Sequence, residues 1–251
     1  MRRFFFTVFF GFVLAAPAGA TVIVRQIDPI SDGFALAVEG SYADESGATQ
    51  KRDYAFGFNL SHKSGGHEFR GFGGVNYGRV NGTENTENSM VHLRYIREAF
   101  AEGVRFEGFT QTENDDFASL SRRDLIGGGF SRFFNSPNGA RRLLAMVGVM
   151  REEEIHLTDA NQNRDVTRIT ASVQTRWQLP NKNKLYLIAY VQPNLDDMED
   201  DRRITAELSL DIPLSARLSL KTGYRYRYND KPFSAVPREQ NKLTTGFAFS
   251  F

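Results

Sequence analysis

The chain has no cysteine among its 251 residues. That excludes a disulfide framework, and it excludes a lipid anchor on a processed N-terminal cysteine. After residue 20 there is no run of roughly eighteen apolar residues, so no membrane-spanning helix is expected. Histidine is sparse, with four copies, at 62, 67, 92 and 156. Gly-x-Ser-x-Gly, His-Glu-x-x-His and the phosphate-binding loop are all missing. The sequence therefore predicts no enzyme, no cofactor and no metal centre. Charge of one sign is missing too: 31 Lys+Arg face 30 Asp+Glu, which gives no pointer to nucleic acid. The mean hydropathy of −0.41 resembles that of a soluble protein. It does not exclude a barrel, because barrel strands turn only half their residues toward lipid.

What is present begins with a leader. Arg2 and Arg3 precede an apolar stretch over 4–16, and Ala18-Gly19-Ala20 forms a small-residue cleavage site. The pattern predicts a secretory signal peptide over 1–20. A short periplasmic N-terminal segment is expected over 21–32, and one domain over 33–251. Removing Arg2 and Arg3 leaves 29 basic residues against 30 acidic ones.

The body alternates with period two, the mark of strands with one apolar face. Over 51–62, Tyr54, Phe56, Phe58 and Leu60 alternate with Asp53, Gly57 and Asn59. Over 203–212, Ile204, Ala206, Leu208, Leu210 and Ile212 alternate with Arg203, Glu207 and Asp211. Similar patterns occupy 33–44, 67–79, 89–97, 104–113, 166–179 and 217–228. Three segments, 122–134, 141–151 and 184–192, are apolar or glycine-rich on both faces and leave the register open.

The last segment sets Leu243, Phe247, Phe249 and the terminal Phe251 on one face. An aromatic ladder at a chain end suits a strand facing lipid. Such an end resembles the closing strand that the barrel-assembly machinery reads, so that machinery is an expected partner. Tyr42, Tyr77, Trp177 and Tyr228 fall near strand ends, where an aromatic girdle belongs. Turn-like connections at 63–66, 100–103, 135–139, 180–183 and 213–216 separate longer polar ones at 45–50, 81–88, 154–165, 196–201 and 229–240. The expected fold is all-β: an antiparallel up-and-down transmembrane β-barrel of about twelve strands in a bacterial outer membrane, with lipid and lipopolysaccharide around it.

Phe109-x-Gln111, Arg123-x-Leu125-x-Gly127-x-Gly129, Gln192-Pro193 and the acidic run before Arg202 and Arg203 add a further pattern. Together with Phe251 they resemble the YdiY-like family of salt-induced outer-membrane proteins. Gly47-Ala48-Thr49 departs from the Gly-Asn-Thr element expected in the first hairpin. The resemblance implies a location and a fold, and it implies no activity.

The polar face supplies the candidate site. Arg70, Arg94, Arg105, Glu107, Arg168, Arg176, Arg203, Glu207, Lys221, Arg225 and Arg227 are expected to line the lumen. Two arrangements are open. Intermixed charges would fill the lumen with ion pairs, whereas arginines gathered near Arg203, Arg225 and Arg227 would make a track for anions such as acidic oligosaccharides. The leading expectation is a non-enzymatic envelope barrel, either a narrow channel or a stress-related component. An anion-selective porin is the alternative. A third reading is a loop-based surface enzyme or adhesin around His156, Glu152, Glu153, Glu154 and Asp159. Asp196, Asp197, Asp200 and Asp201 are weak candidates for a divalent cation, since their spacing is not that of a calcium loop.

Overall fold

A computed structural model describes residues 9–11, 27, 30–45, 51–98, 103–136, 139–215, 218–233 and 236–250. All twelve expected segments are strands: β2 (Gly33–Glu45), β3 (Lys51–Ser64), β4 (His67–Val80), β5 (Thr83–Glu98), β6 (Val104–Asp115), β7 (Leu120–Asn135), β8 (Arg141–His156), β9 (Arg164–Gln178), β10 (Lys184–Asn194), β11 (Asp197–Pro213), β12 (Leu218–Asn229) and β13 (Glu239–Ser250). Each pairs antiparallel with its sequence neighbour, the order of an up-and-down barrel. A three-residue strand, β1 (Phe9–Gly11), pairs with β13 and lies beside β2. No ladder joins β1 to β2 among the described residues, so the sheet has a seam there.

The two faces are inverted relative to a water-soluble sheet. Phe34, Phe56, Ile126, Phe130, Val147 and Leu243 are exposed on the outer face, Leu243 at 72% and Phe34 at 68%. Buried on the inner face are Arg94, Glu107, Arg123, Glu152, Glu154, Arg168 and Arg203. Leaving so many large apolar side chains in water at about 1.5–3 kcal/mol each would cost tens of kcal/mol. An apolar exterior around a charged interior is the arrangement a lipid solvent favours.

The three ambiguous segments resolve into strands: β7 and β8 turn glycines inward near their middles, and β10 turns Tyr186, Ile188 and Tyr190 inward. Gly129 and Gly148 are register partners on β7 and β8. A Cβ on Gly129 would sit 2.2 Å from the Val147 carbonyl oxygen, and one on Gly148 would sit 2.3 Å from that of Gly128. Only glycine lets the two backbones approach this closely, as at a bend of a curved sheet. β4 has a similar bend, where a Cβ on Gly73 would lie 2.6 Å from the Met90 carbonyl oxygen.

Two expected long loops are instead strand. The 81–88 stretch is a two-residue turn, Asn81-Gly82, followed by β5 from Thr83. Both turn residues have positive φ (51° and 81°), the geometry that Asn-Gly hairpins favour. The acidic 196–201 stretch likewise turns at Leu195 and Asp196 and runs on as β11. Polar residues at the rim of a barrel extend strands beyond the bilayer, so polarity did not mark loops there. Most of the 45–50 connection lies outside the described residues.

Candidate functional site: the lumenal ion-pair network

The β7–β8 register sets Arg123 opposite Glu154 and Leu125 opposite Glu152. Alternation then points Arg123, Glu152 and Glu154 inward together. Glu152 is fully buried and is the hub. Its carboxylate lies 3.2 Å from Arg123 Nη2, 3.1 Å from Arg168 Nε and 2.8 Å from Arg203 Nη1. Arg168, itself 0% exposed, also reaches Asp201 at 2.9 Å. Arg203 on β11 crosses to Glu154 on β8 at 2.7 Å. Side chains three strands apart touch, so the lumen is narrow at this level.

A second tier surrounds Glu107, which is also fully buried. Arg94 donates to it at 2.7 Å and Arg105 at 3.1 Å, and the Ser131 hydroxyl donates to it as well. Arg70 pairs with Glu68 on the same strand. Arg94 also lies over the Phe109 ring, and Arg105 over Phe133.

A hydrogen-bond chain joins the tiers. Arg94 Nε donates to His92 Nε2 at 3.3 Å, so His92 Nδ1–H is left to donate to Gln111 Oε1 at 2.9 Å. Gln111 Nε2 donates to Glu113 at 2.8 Å, and Arg123 donates to the other oxygen of Glu113 at 2.9 Å. Polar contacts thus run unbroken from Glu107 to Asp201. Such a network is stable in a low dielectric only when its members are satisfied.

Both ends are covered. Ile27 is fully buried against Leu144 and Tyr186, with Phe133 beside them. All three partners point inward from the strand ends nearest the short turns. Residue 27, from the segment expected in the periplasm, therefore lies within the barrel. At the opposite mouth the β12–β13 connection folds across. Asp230 accepts from the Tyr228 hydroxyl at 2.6 Å and from the Arg202 amide and Nε at 3.0 Å each. The Tyr228 hydroxyl above all, with the hydrogen bonds and charge of Arg202, holds the Asp230 carboxyl below its ordinary range, against the opposing effect of burial. Arg164 donates to the Lys231 and Pro232 carbonyls, and Phe233 sits edge-on to His156 at 4.8 Å.

The expected lumen residues divide unevenly. Arg70, Arg94, Arg105, Glu107, Arg168 and Arg203 belong to the network. Arg225 is held on Glu207 by two hydrogen bonds of 2.9 and 2.7 Å. Arg203, Arg225 and Arg227 therefore do not form a free arginine track, because two of the three are paired with carboxylates. Arg176 is half-buried on the inner face beside Arg142 in register. The Lys221 side chain lies outside the described residues, as do those of Phe247 and Phe249 and the whole of Phe251. Sequence reasoning named Arg123 only as part of a motif, and Glu152 and Glu154 only beside His156 in a loop; it did not place them in the lumen, where they form the centre of this tier.

The four loop aspartates do not converge. Asp200 and Asp201 are strand neighbours on opposite faces, Asp201 is buried under Arg168, and Asp197 pairs with Lys231. No group of acids and histidines able to hold a metal occurs among the described residues. The residues around His156 are likewise dispersed. Its Nδ1 accepts from the backbone amides of Thr158 and Asp159, while Glu152 and Glu154 are engaged by arginines.

Solved structures with this shape are barrels. The NanC porin is 8% identical and aligns over 78% of this chain and 93% of its own, with a TM-score of 0.50. The translocator domain of autotransporter NalP from Neisseria meningitidis is 14% identical over 90% of this chain and 91% of its own, with a TM-score of 0.45. The anion-selective porin from Comamonas acidovorans is 12% identical over 78% of this chain and 59% of its own, with a TM-score of 0.41. At such identities the likeness concerns fold alone, and it rests on the first of these. No curated protein matches the sequence. The family described as "Protein of unknown function, DUF481" matches residues 38–251, agrees with the YdiY-like resemblance, and is the family to which this chain belongs.

Proposed function

We propose that this protein is a non-enzymatic barrel of the bacterial outer membrane whose lumen is closed at rest. It serves as a structural or stress-related envelope component, and it conducts only if the closure is released. The observation that carries this reading is the Glu152 hub, where one buried carboxylate holds arginines from β7, β9 and β11. Charges already paired with one another across a narrow lumen offer a passing ion neither a free path nor a free countercharge. Ile27 at one end and the 230–238 connection at the other support the same reading.

In this account the leader is cleaved after Ala20. Its removal takes β1 out of the seam and leaves β2 and β13 to pair into a twelve-stranded ring. The closing strand is presented to the assembly machinery, with Leu243 toward lipid, and lipopolysaccharide surrounds the outer rim. Two assays test the proposal. The protein should fractionate with the outer membrane, need detergent for extraction, and migrate faster unheated than boiled. Reconstituted in liposomes, it should leave them impermeable to small neutral sugars. Release without detergent would overturn the barrel's location, and rapid sugar-driven swelling would overturn the closed lumen.

A further inference from the structure

At the outer mouth, beneath the 230–238 connection, lies a cavity of about 100 Å3. Its charged lining is four arginines, Arg123, Arg203, Arg227 and Arg238, against one carboxylate, Glu154. That carboxylate is already engaged by Arg203 at 2.7 Å. Among these arginines, Arg227 differs in kind. Alternation turns it inward from β12, opposite Thr205 and Gln240, and neither register partner carries a negative charge. Its Nε is buried and makes no hydrogen bond among the described residues; the Nε atoms of Arg123 and Arg203 likewise make none, but both of those arginines hold carboxylates through their Nη atoms, whereas Arg227 forms no ion pair among the described residues. Glu113 and Asp115 across the lumen act on Arg227 at longer range. Glu113 is occupied by Arg123 and Gln111, and Asp115 accepts from the Ala118 amide.

A buried guanidinium nitrogen left without an acceptor is costly, and the cost disappears when an anion supplies one. Leu120, Phe233, Val236 and the prolines at 232 and 237 form an apolar part of the wall, and Thr205, Tyr228, Asn229 and Gln240 add uncharged polar groups. A cavity of about 100 Å3 has the volume of roughly three waters, each taking about 30 Å3. We propose that this cavity binds a small aliphatic carboxylate of two to four carbons. The carboxylate would lie against the planar guanidinium of Arg227, which suits two-point contact with such a group, and the short chain would lie against Phe233 and Val236. The site lies at the rim and shares Arg123, Arg203 and Glu154 with the paired tier beneath it, but it does not depend on whether the lumen conducts.

The test uses the full mature protein in detergent micelles with 13C-labelled propionate, read by line broadening. Propionamide serves as the neutral isostere and inorganic phosphate as a competitor. The expected result is saturable propionate binding, none for propionamide, and weak competition by phosphate. Arg227→Gln should weaken binding about tenfold or more, the loss of a charge-assisted contact. Folding of each variant is checked by its unheated gel mobility. If Arg227→Gln fails to fold, Val236→Trp decides the matter: it fills the cavity from the connection and changes no residue of a barrel strand, and it should abolish binding. The proposal is overturned if propionate does not saturate, as in a cavity holding only water, or if propionamide binds as well. It is also overturned if phosphate competes equally, or if a folded variant binds like the parent.

Discussion

Replacing Glu152 with glutamine should be the most damaging isosteric change in the lumen. The side chain keeps its shape and loses the charge that three arginines share at 2.8–3.2 Å. At an effective dielectric near 20, each such pair at about 3 Å attracts by about 5 kcal/mol. Most of that attraction offsets the desolvation of the four groups, so the full sum is not the expected effect. Removing one partner of a buried pair typically costs about 3–5 kcal/mol, because the remaining charge stays buried. Here Arg168 retains Asp201 and Arg203 retains Glu154, so the lower half of that range is expected. Urea unfolding in lipid vesicles, followed by the single tryptophan, would measure it. Adding Arg203→Gln to Glu152→Gln should lose less than the two changes separately, since the attraction between the two residues is lost only once. A loss below about 1 kcal/mol for Glu152→Gln, as for solvent-screened pairs, would show a water-filled lumen and refute the reasoning.

Other expectations follow from the same geometry. Gly129→Ala should prevent the β7–β8 approach and leave a protein that never shows the fast-migrating unheated form, whereas alanine at the open Gly108 position should be tolerated. Because the chain has no cysteine, Ile27→Cys supplies a unique thiol, which should resist a water-soluble maleimide until the protein is unfolded. At the outer mouth, the Asp230 carboxyl has a lowered pKa in the folded protein, so its latch is intact above the ordinary carboxylate value and is lost as pH falls through the lowered one. Exchange of the Arg202 amide, corrected for its intrinsic rate, should therefore stay slow from pH 8 to 5 and rise only below about pH 4. Faster exchange near neutral pH would point to another group.

The strands were legible because lipid and lumen impose opposite chemistry on alternate residues. Tyr54, Phe56, Ile204 and Leu208 announce their face, and Arg94, Arg203 and Glu207 announce the other. Where the inner wall bends, glycine replaces the charge and the signal fades. Gly127, Gly129 and Gly148 occupy inward positions that carry no side chain to read, and this hid the faces of β7 and β8. Arg123 and Glu154 were lost with them, because only the strand register shows that they lie opposite each other. The acidic 196–201 run misled for a different reason. Its charge suits a rim strand as well as a loop, and only the partner Arg168 distinguishes a buried Asp201 from a solvated one. The reach of the 230–238 connection across the mouth had no local signal, because His156, Arg164 and Phe233 meet only through the curvature of the sheet.

The closed lumen is tested most directly by single-channel recording of the mature protein, purified from outer membranes, in a planar bilayer. The account predicts a folded, heat-modifiable barrel that gives no discrete conductance steps at moderate voltage, and that begins to give them when Glu152→Gln loosens the hub. Regular steps from the unaltered protein, with a steady preference for anions or cations, would contradict it.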